Sequence, residues 1–453
     1  MTAPREGGRP RPPQKQVRRG AGASQRTGLS RAAAGASPAS QAAQAAARVS
    51  PARMAALQVL LRVGQGKGHS DVLLHSALTE GLSPEDRGLV TALVMGVLRW
   101  QTALDTQVRR WLERPQQRLA EPVAVVLRLG ALQLLHLDRI PAHAALSESV
   151  ELCRAAGEPQ AAGMVNAILR KVAAAGRPGN KIYETPAAFA ERLGHPLWMV
   201  ERWVRFYGVE AARHICEADQ QEPAESTLFA RNPELPVMDD GSRLVAELAA
   251  ACAPGARRVW DACAAPGGKT LILANRLAQA ELLATDVSSH RVTQMQARLR
   301  RYPYAQRVAT AVADATALPE ANGSFDLILC DVPCSGTGTL AANPEIRHRL
   351  QPGELVRQAE RQLGILRAAA RRLAPGGRLV YATCSLEPEE CEQVVEASGL
   401  AKVPVQGLLD ELRDAGVLLR EMRTAVREGA LRTLPGVDGC DGFYAAVLEQ
   451  PRP

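Results

Sequence analysis

From Ala52 to about Ala175, apolar residues recur at three- and four-residue spacing, as in Met54-Ala-Ala-Leu-Gln-Val-Leu-Leu61 and Leu89-Val-Thr-Ala-Leu-Val-Met-Gly-Val-Leu98. That period predicts amphipathic helices packed on one another. Ser83-Pro84-Glu85-Asp86 reads as a helix start: serine can cap, proline fits the first turn, and the acids suit the positive end. Pro115, Pro122, Pro141 and Pro159 punctuate further helices. The expectation is an all-α domain of six or seven helices over residues 50–175. Residues 176–235 read as a helical connector. It opens on the break Gly176-Arg-Pro-Gly-Asn180 and carries a helical stretch around Pro196-Leu-Trp-Met-Val-Glu-Arg-Trp203. Trp198 and Trp203 are expected to pack in a core or between domains rather than to stack on bases.

After about Val237 the period changes. Short apolar runs alternate with helical ones: Arg258–Asp261, Leu282–Asp286, Arg307–Asp314, Phe325–Asp331 and Arg378–Thr383, with a helix at Leu355–Arg372. Alternating strand and helix units imply a mostly parallel sheet covered on both faces, over residues 236–453. Four of the five strands are expected to end in Asp, and ligands of such sheets bind beyond the carboxyl ends of the strands.

Charge changes the picture only at the N-terminal end. Residues 1–49 hold nine basic residues and one acidic residue, so this Gly/Ala/Pro/Gln/Ser-rich stretch accounts for the whole formal net charge of +8. It reads as a disordered basic tail, able to hold phosphates or simply solvated. No apolar run approaches the roughly 20 residues of a membrane helix. Nine cysteines without a framework or an export signal point to reduced thiols and a cytoplasmic location.

Three segments carry chemistry. Asp261-Ala-Cys-Ala-Ala-Pro-Gly-Gly-Lys-Thr270 follows a strand and opens a helix, and its small residues let backbone N–H groups approach a ligand. It is not a phosphate loop, which needs Gly where this chain has Cys263. Asp286, roughly 20 residues past that loop, can accept both hydroxyls of a ribose. With no phosphate motif the implied ligand is an adenosine without phosphates, which S-adenosyl-L-methionine satisfies; Asp314 is placed to reach the adenine amino group.

Asp331-Val-Pro-Cys-Ser-Gly-Thr-Gly338 and Tyr381-Ala-Thr-Cys-Ser385 put Cys334 and Cys384 at the ends of two strands. An aromatic residue in place of Cys334 would suit methylation of an exocyclic amine; cysteine disfavours it. Pyrimidine C5 is a poor nucleophile until a thiolate adds at C6, which makes C5 enamine-like. That chemistry needs a thiolate, an acid partner for the ring nitrogen and loss of the C5 proton. The cysteines lack zinc-knuckle spacing and no H-E-x-x-H occurs, so no metal is expected.

On these residues the chain resembles the RsmB-type small-subunit ribosomal RNA cytosine-C5 methyltransferases, within the wider Nol/Nop/Sun family. The likeness covers about residues 52–449. It rests on Cys263-Ala-Ala-Pro-Gly-Gly-Lys269, Asp331–Gly338, Thr383-Cys-Ser385 and Asp441-Gly-Phe-Tyr444. Upstream, Ser83–Arg87, Arg128–Leu135, Arg139–Ala144 and Val165–Arg170 resemble a NusB-type RNA-binding domain. The resemblance implies a Rossmann-like class I methyltransferase domain with a mostly parallel seven-stranded sheet.

It also implies roles. Cys384 is the nucleophile at C6, Cys334 assists loss of the C5 proton and release, and Asp331 bonds the cytosine ring and lies against the cofactor. Cys263, Ala264, Ala265, Pro266, Gly267, Gly268 and Lys269 wrap the methionine portion, Asp286 holds the ribose, and Asp314 the adenine. The implied partner is small-subunit ribosomal RNA, read by a monomer without membrane or metal. Alternatives are the same chemistry on transfer RNA or large-subunit RNA, or a non-catalytic assembly factor. One departure is that only residues 233–238 separate Arg231-Asn232 from Asp239–Ser242. The family usually has a longer stretch there, so an RNA-contacting subdomain within 176–235 is expected to be truncated.

Overall fold

The computed structural model of the chain describes residues 49–177, 179, 185–222 and 227–451. The basic stretch 1–48, read above as a tail, and most of the break at 178–184 lie outside them.

Six helices form the first layer: α1 (Pro51–Gly64), α2 (Ser70–Leu74), α3 (Pro84–Arg109), α4 (Glu121–His136), α5 (Ala142–Ala155) and α6 (Ala162–Ala175). Ser83 caps α3 as its sequence predicts, its Oγ accepting the Asp86 backbone N–H at 3.1 Å. The periodic apolar positions, among them Leu57, Leu93, Leu127, Leu132 and Leu169, close one core of this helical layer.

The connector contributes α7 (Pro186–Arg192), α8 (Leu197–Tyr207) and α9 (Val209–Ala218). Trp203 is fully buried and donates its indole N–H to Glu387 at 3.1 Å, while Trp198 packs on the same cluster. Both tryptophans are therefore packing residues, as expected, and Trp203 joins the connector to the segment just after Cys384.

The third layer is an α/β unit: α10 (Asp240–Cys252), β1 (Arg258–Asp261), α11 (Gly268–Arg276), β2 (Glu281–Asp286), α12 (Ser289–Leu299), β3 (Ala309–Val312), β4 (Phe325–Asp331), α13 (Ile346–Arg349), α14 (Pro352–Ala370), β5 (Leu373–Thr383), α15 (Glu392–Ser398), β6 (Ala401–Val403), α16 (Gln406–Asp414), β7 (Val426–Arg427), β8 (Ala430–Arg432) and β9 (Tyr444–Glu449). The sheet order is β3-β2-β1-β4-β5-β9-β8-β7, with β6 also paired to β9. Strands β1 to β5 are parallel and β9 runs antiparallel to β5.

The sheet thus has nine strands, two more than the family likeness implies. The additions are two- and three-residue pieces at the antiparallel edge. They pair with β8 and with the buried strand β9. Runs that short carry no readable alternation, so only the tertiary pairing defines them.

A buried polar hub fastens the layers together. Arg347, in α13, is 2% exposed and donates to the carbonyls of Arg99 (3.2 Å), Gly194 (3.5 Å) and Asp219 (3.4 Å). Arg99 in turn reaches the Ala341 carbonyl at 2.8 Å, and His195 Nε2 lies 3.1 Å from Asp219 Oδ2. Burial pushes the Asp219 carboxyl up to about 7, because a dry carboxylate is costly. The loop that follows Cys334 is thereby anchored to both helical layers.

Candidate active site

Parallel registry brings the strand ends together. Asp261 pairs with Ala284 and with Leu329, and Asp331 pairs with Ala382, so the ends of β1, β2, β4 and β5 open on one edge. The chain order reverses between β1 and β4, which creates the crevice where such sheets bind ligands.

Three strands end in Asp rather than the expected four. β3 stops at Val312, and Asp314 instead caps a short 3₁₀ turn. Its Oδ1 accepts the backbone N–H and the hydroxyl of Thr316, both at 2.8 Å, and the backbone bond holds its carboxyl below the ordinary range. Ala313 N–H still donates to the Asp286 carbonyl at 3.1 Å, so the strand pattern runs on for one residue past the last paired position, Val312, before the chain turns at Asp314.

The loop between β1 and α11 is drawn tightly back on the sheet. Ala264 N–H donates to the Thr285 carbonyl at 2.8 Å and Gly267 N–H to the Ala264 carbonyl at 2.7 Å. Gly267 has φ 90°, and a Cβ there would lie 2.9 Å from Met295, so both backbone and space call for glycine. Cys263 is mostly enclosed, and burial raises its thiol to about 12, which makes it an inert lining residue. Ala265 and Pro266 complete the turn, and Gly268 begins α11.

Lys269 points away from this loop. Its Nζ donates to Asp331 at 2.7 Å and to Ser242 at 2.8 Å. Burial alone would lower the pKa of the ammonium; the neighbouring Asp331 carboxylate outweighs it and raises the pKa. A lysine committed to a carboxylate cannot serve a phosphate, in line with the missing loop glycine. Beneath it, Asp261 is buried, and burial lifts its carboxyl to about 7 against the 2.7 Å bond from Thr270.

Asp286 is buried, accepting from Ser288 N–H at 2.9 Å and paired with Arg291 at 3.0 Å. Arg291 also donates to the Ala265 carbonyl, so it links the Asp286 carboxylate to the glycine loop. Sequence reasoning passed over Arg291; its place on the first turn of α12, five residues beyond Asp286, was the available signal.

The two cysteines meet. Cys334 Sγ and Cys384 Sγ are 3.4 Å apart. Adjacency of β4 and β5 makes this possible, and backbone bonds fasten it: Val332 N–H to the Ala382 carbonyl at 3.0 Å, Gly338 N–H to the Cys384 carbonyl at 2.9 Å, and Gly442 N–H to the Gly338 carbonyl at 2.8 Å. The Asp441–Tyr444 segment therefore braces the cysteine loop from behind. The Cys334 thiol is pushed well above its ordinary value, first by its hydrogen bond with Cys384 and then by burial.

A Cβ on Gly338 would sit 2.0 Å from the Gly442 carbonyl oxygen, a backbone atom that cannot turn aside. Gly338→Ala is expected to cost about 3 kcal/mol or more and to lower the melting temperature by several degrees. Calorimetry of the purified variant checks this; unchanged melting would mean that the Gly338–Gly442 contact does not hold in solution.

Comparison with known proteins places the chain in a family. Residues 251–449 match the family model described as 16S rRNA methyltransferase RsmB/F, and residues 50–174 match that of the NusB family. The probable ribosomal RNA small subunit methyltransferase B of Bacillus subtilis is 31% identical over 446 residues, spanning 87% of this chain and 98% of that protein. The ribosomal RNA small subunit methyltransferase B of Xanthomonas campestris is 32% identical over 439 residues, with 87% and 96% covered. The solved structure of PH0851 shares the fold, with a TM-score of 0.67 at 20% identity over 89% of this chain and 99% of that one. Identity at this level along nearly the whole length of those relatives means that the chain belongs to the RsmB/F family of S-adenosylmethionine-dependent ribosomal RNA methyltransferases.

Proposed function

We propose that the protein methylates C5 of a cytidine in small-subunit ribosomal RNA through a covalent bond between Cys384 and C6. The observation that carries this reading is the pair of thiols 3.4 Å apart, at the ends of β4 and β5, with the β4-end carboxylate of Asp331 bonded to Lys269. A methyltransferase acting on an amine or a hydroxyl has no use for two adjoining thiols.

The residues present fit S-adenosyl-L-methionine. A glycine turn with no space for a side chain lies next to a strand-end carboxylate, and the nearby lysine is turned to Asp331 rather than to a phosphate. Residues 263–269 would hold the methionine part, Asp286 the ribose and Asp314 the adenine. When bound, the cofactor supplies an electrophilic methyl group and a positive sulfonium.

The chain's own groups do the rest. The hydrogen bond with Cys384 and burial push the Cys334 thiol well above its ordinary value, so Cys384 is the sulfur assigned to add to C6. Asp331, fixed by Lys269, bonds the ring and stabilises the charge that addition places on it. Addition turns C5 into the nucleophilic carbon. C5 takes the methyl group; its proton then leaves to solvent, its electron pair re-forms the C5–C6 double bond, and the bond from Cys384 Sγ to C6 breaks with its electrons returning to sulfur, Cys334 lying beside that sulfur to assist. The NusB-family layer supports ribosomal RNA as the target.

The test is incubation of the purified protein with tritiated methyl donor and ribosomal RNA from cells lacking the enzyme, followed by bisulfite sequencing. A single newly protected small-subunit cytidine is expected. Label on transfer RNA or large-subunit RNA instead would replace the target, and label outside C5 would overturn the chemistry.

A further inference from the structure

Each cysteine is followed by a serine, and the structure joins the two serines through one side chain. Glu390 is fully buried at the end of the short turn Pro388–Glu390. Its Oε1 accepts the Ser335 backbone N–H at 2.9 Å and the Gln362 amide at 3.0 Å. Its Oε2 accepts the Ser385 hydroxyl at 2.6 Å and also the Ser335 hydroxyl. None of these four donors is a cation. A dry carboxylate in such a place is tolerable only when its lone pairs are all met by aimed donors, so the surrounding groups are held as firmly as it is.

The donors are themselves fixed. Ser385 Oγ accepts from Glu387 N–H at 3.0 Å, which leaves its hydroxyl proton for Glu390. Gln362 also donates to the Pro333 carbonyl at 2.9 Å. Tyr381 donates to the Glu390 carbonyl at 2.6 Å. The backbone ties between the two cysteine loops lie at Val332 and at Gly338, on either side of Cys334. Glu390 holds the span between them, one residue from each sulfur-bearing position.

We propose that Glu390 is a positioning residue: a crossbar that clamps Ser335 and Ser385 and thereby sets the separation of the Cys334 and Cys384 sulfurs. Its negative charge adds to the Cys384 hydrogen bond and burial in keeping the proton on Cys334. It touches neither reacting sulfur. The clamp bears on the two-cysteine reading of the site, but it is tested first by a measurement that needs no RNA.

That measurement is the rate at which diamide joins Cys334 to Cys384 in the full-length protein. The two thiols give up two electrons and two protons, diamide is reduced to its hydrazine, and the disulfide is counted by mass spectrometry of alkylated peptides. Glu390→Ala is expected to slow this cross-link about tenfold or more, since the loops spread and the effective concentration of one thiol at the other falls. Ser335→Ala, which removes one arm, is expected to slow it by a smaller factor and to add nothing on top of Glu390→Ala.

In single-turnover methylation, Glu390→Ala is expected to lose about 10²-fold in rate with affinity for the methyl donor within about twofold, as for a misplacement on the scale of 1 Å. A merely structural role would instead weaken donor binding and melting together with the rate. Cross-linking and methylation at wild-type rates in Glu390→Ala overturn the crossbar. Should that variant not fold, wild-type rates in Ser335→Ala overturn it equally. Slowed cross-linking in a protein that methylates no RNA leaves the crossbar standing and removes the proposed function.

Discussion

Cys384→Ser is expected to abolish methyl transfer, by on the order of 10⁴-fold or more, while the methyl donor still binds within about twofold of the wild-type affinity. A hydroxyl attacks C6 only if a base removes its proton. The group at hand is the Cys334 sulfur, 3.4 Å away, and that thiol is itself pushed well above its ordinary pKa. It holds a proton and is no base for an alcohol. Donor binding is expected to survive because the proposed cofactor residues, the loop 263–269 and Asp286, are anchored on β1, β2, α11 and α12, with no hydrogen bond to the Cys384 side chain. Single-turnover transfer of tritium and equilibrium dialysis of the donor separate the two effects. Retained transfer would remove Cys384 from the role of nucleophile.

Cys334→Ala is expected to do the opposite of silencing the enzyme at its first step. With Cys384 intact, addition to C6 proceeds, but the group that assists departure is gone, so protein and RNA remain joined. The product is a complex that survives denaturation, visible as a slower band in a denaturing gel, and formed only when the methyl donor is present. The trapped fraction should rise from a trace to most of the RNA-bound protein. A small residue at this position leaves the fold intact, because the loop around it is fastened through backbone groups at Val332 and Gly338 and through Ser335. An adduct from Cys384→Ala in place of Cys334→Ala would mean that the two roles are exchanged.

Much of the molecule was legible from residue order. The switch from a period of three to four to short apolar runs located the change from helical layers to sheet, because each element must bury one face or one stripe. The aspartates at strand ends and the small-residue loop after β1 announced an adenosine-type ligand, since parallel strands present those ends to one crevice. Two cysteine–serine pairs singled out the segments whose sulfurs the fold brings together. What residue order did not show were features set by pairing alone: the end of β3, and the two added short strands β6 and β7, which acquire strand geometry only by pairing with β9 and β8.

By itself, then, the amino-acid sequence determined which chemical groups are available and roughly which element carries each, because periodicity and local turn chemistry are encoded over a few residues. The tertiary structure alone decided which groups meet. Cys334 and Cys384 stand fifty positions apart, and the placement of β5 next to β4, after the crossover through α14, brings their sulfurs to 3.4 Å. Lys269 is a partner of Asp331 rather than of a phosphate only because β1 and β4 are neighbours. Glu390, unremarked in the linear order, becomes a clamp on both serines because a buried carboxylate must be met by whatever donors the packed sheet presents to it.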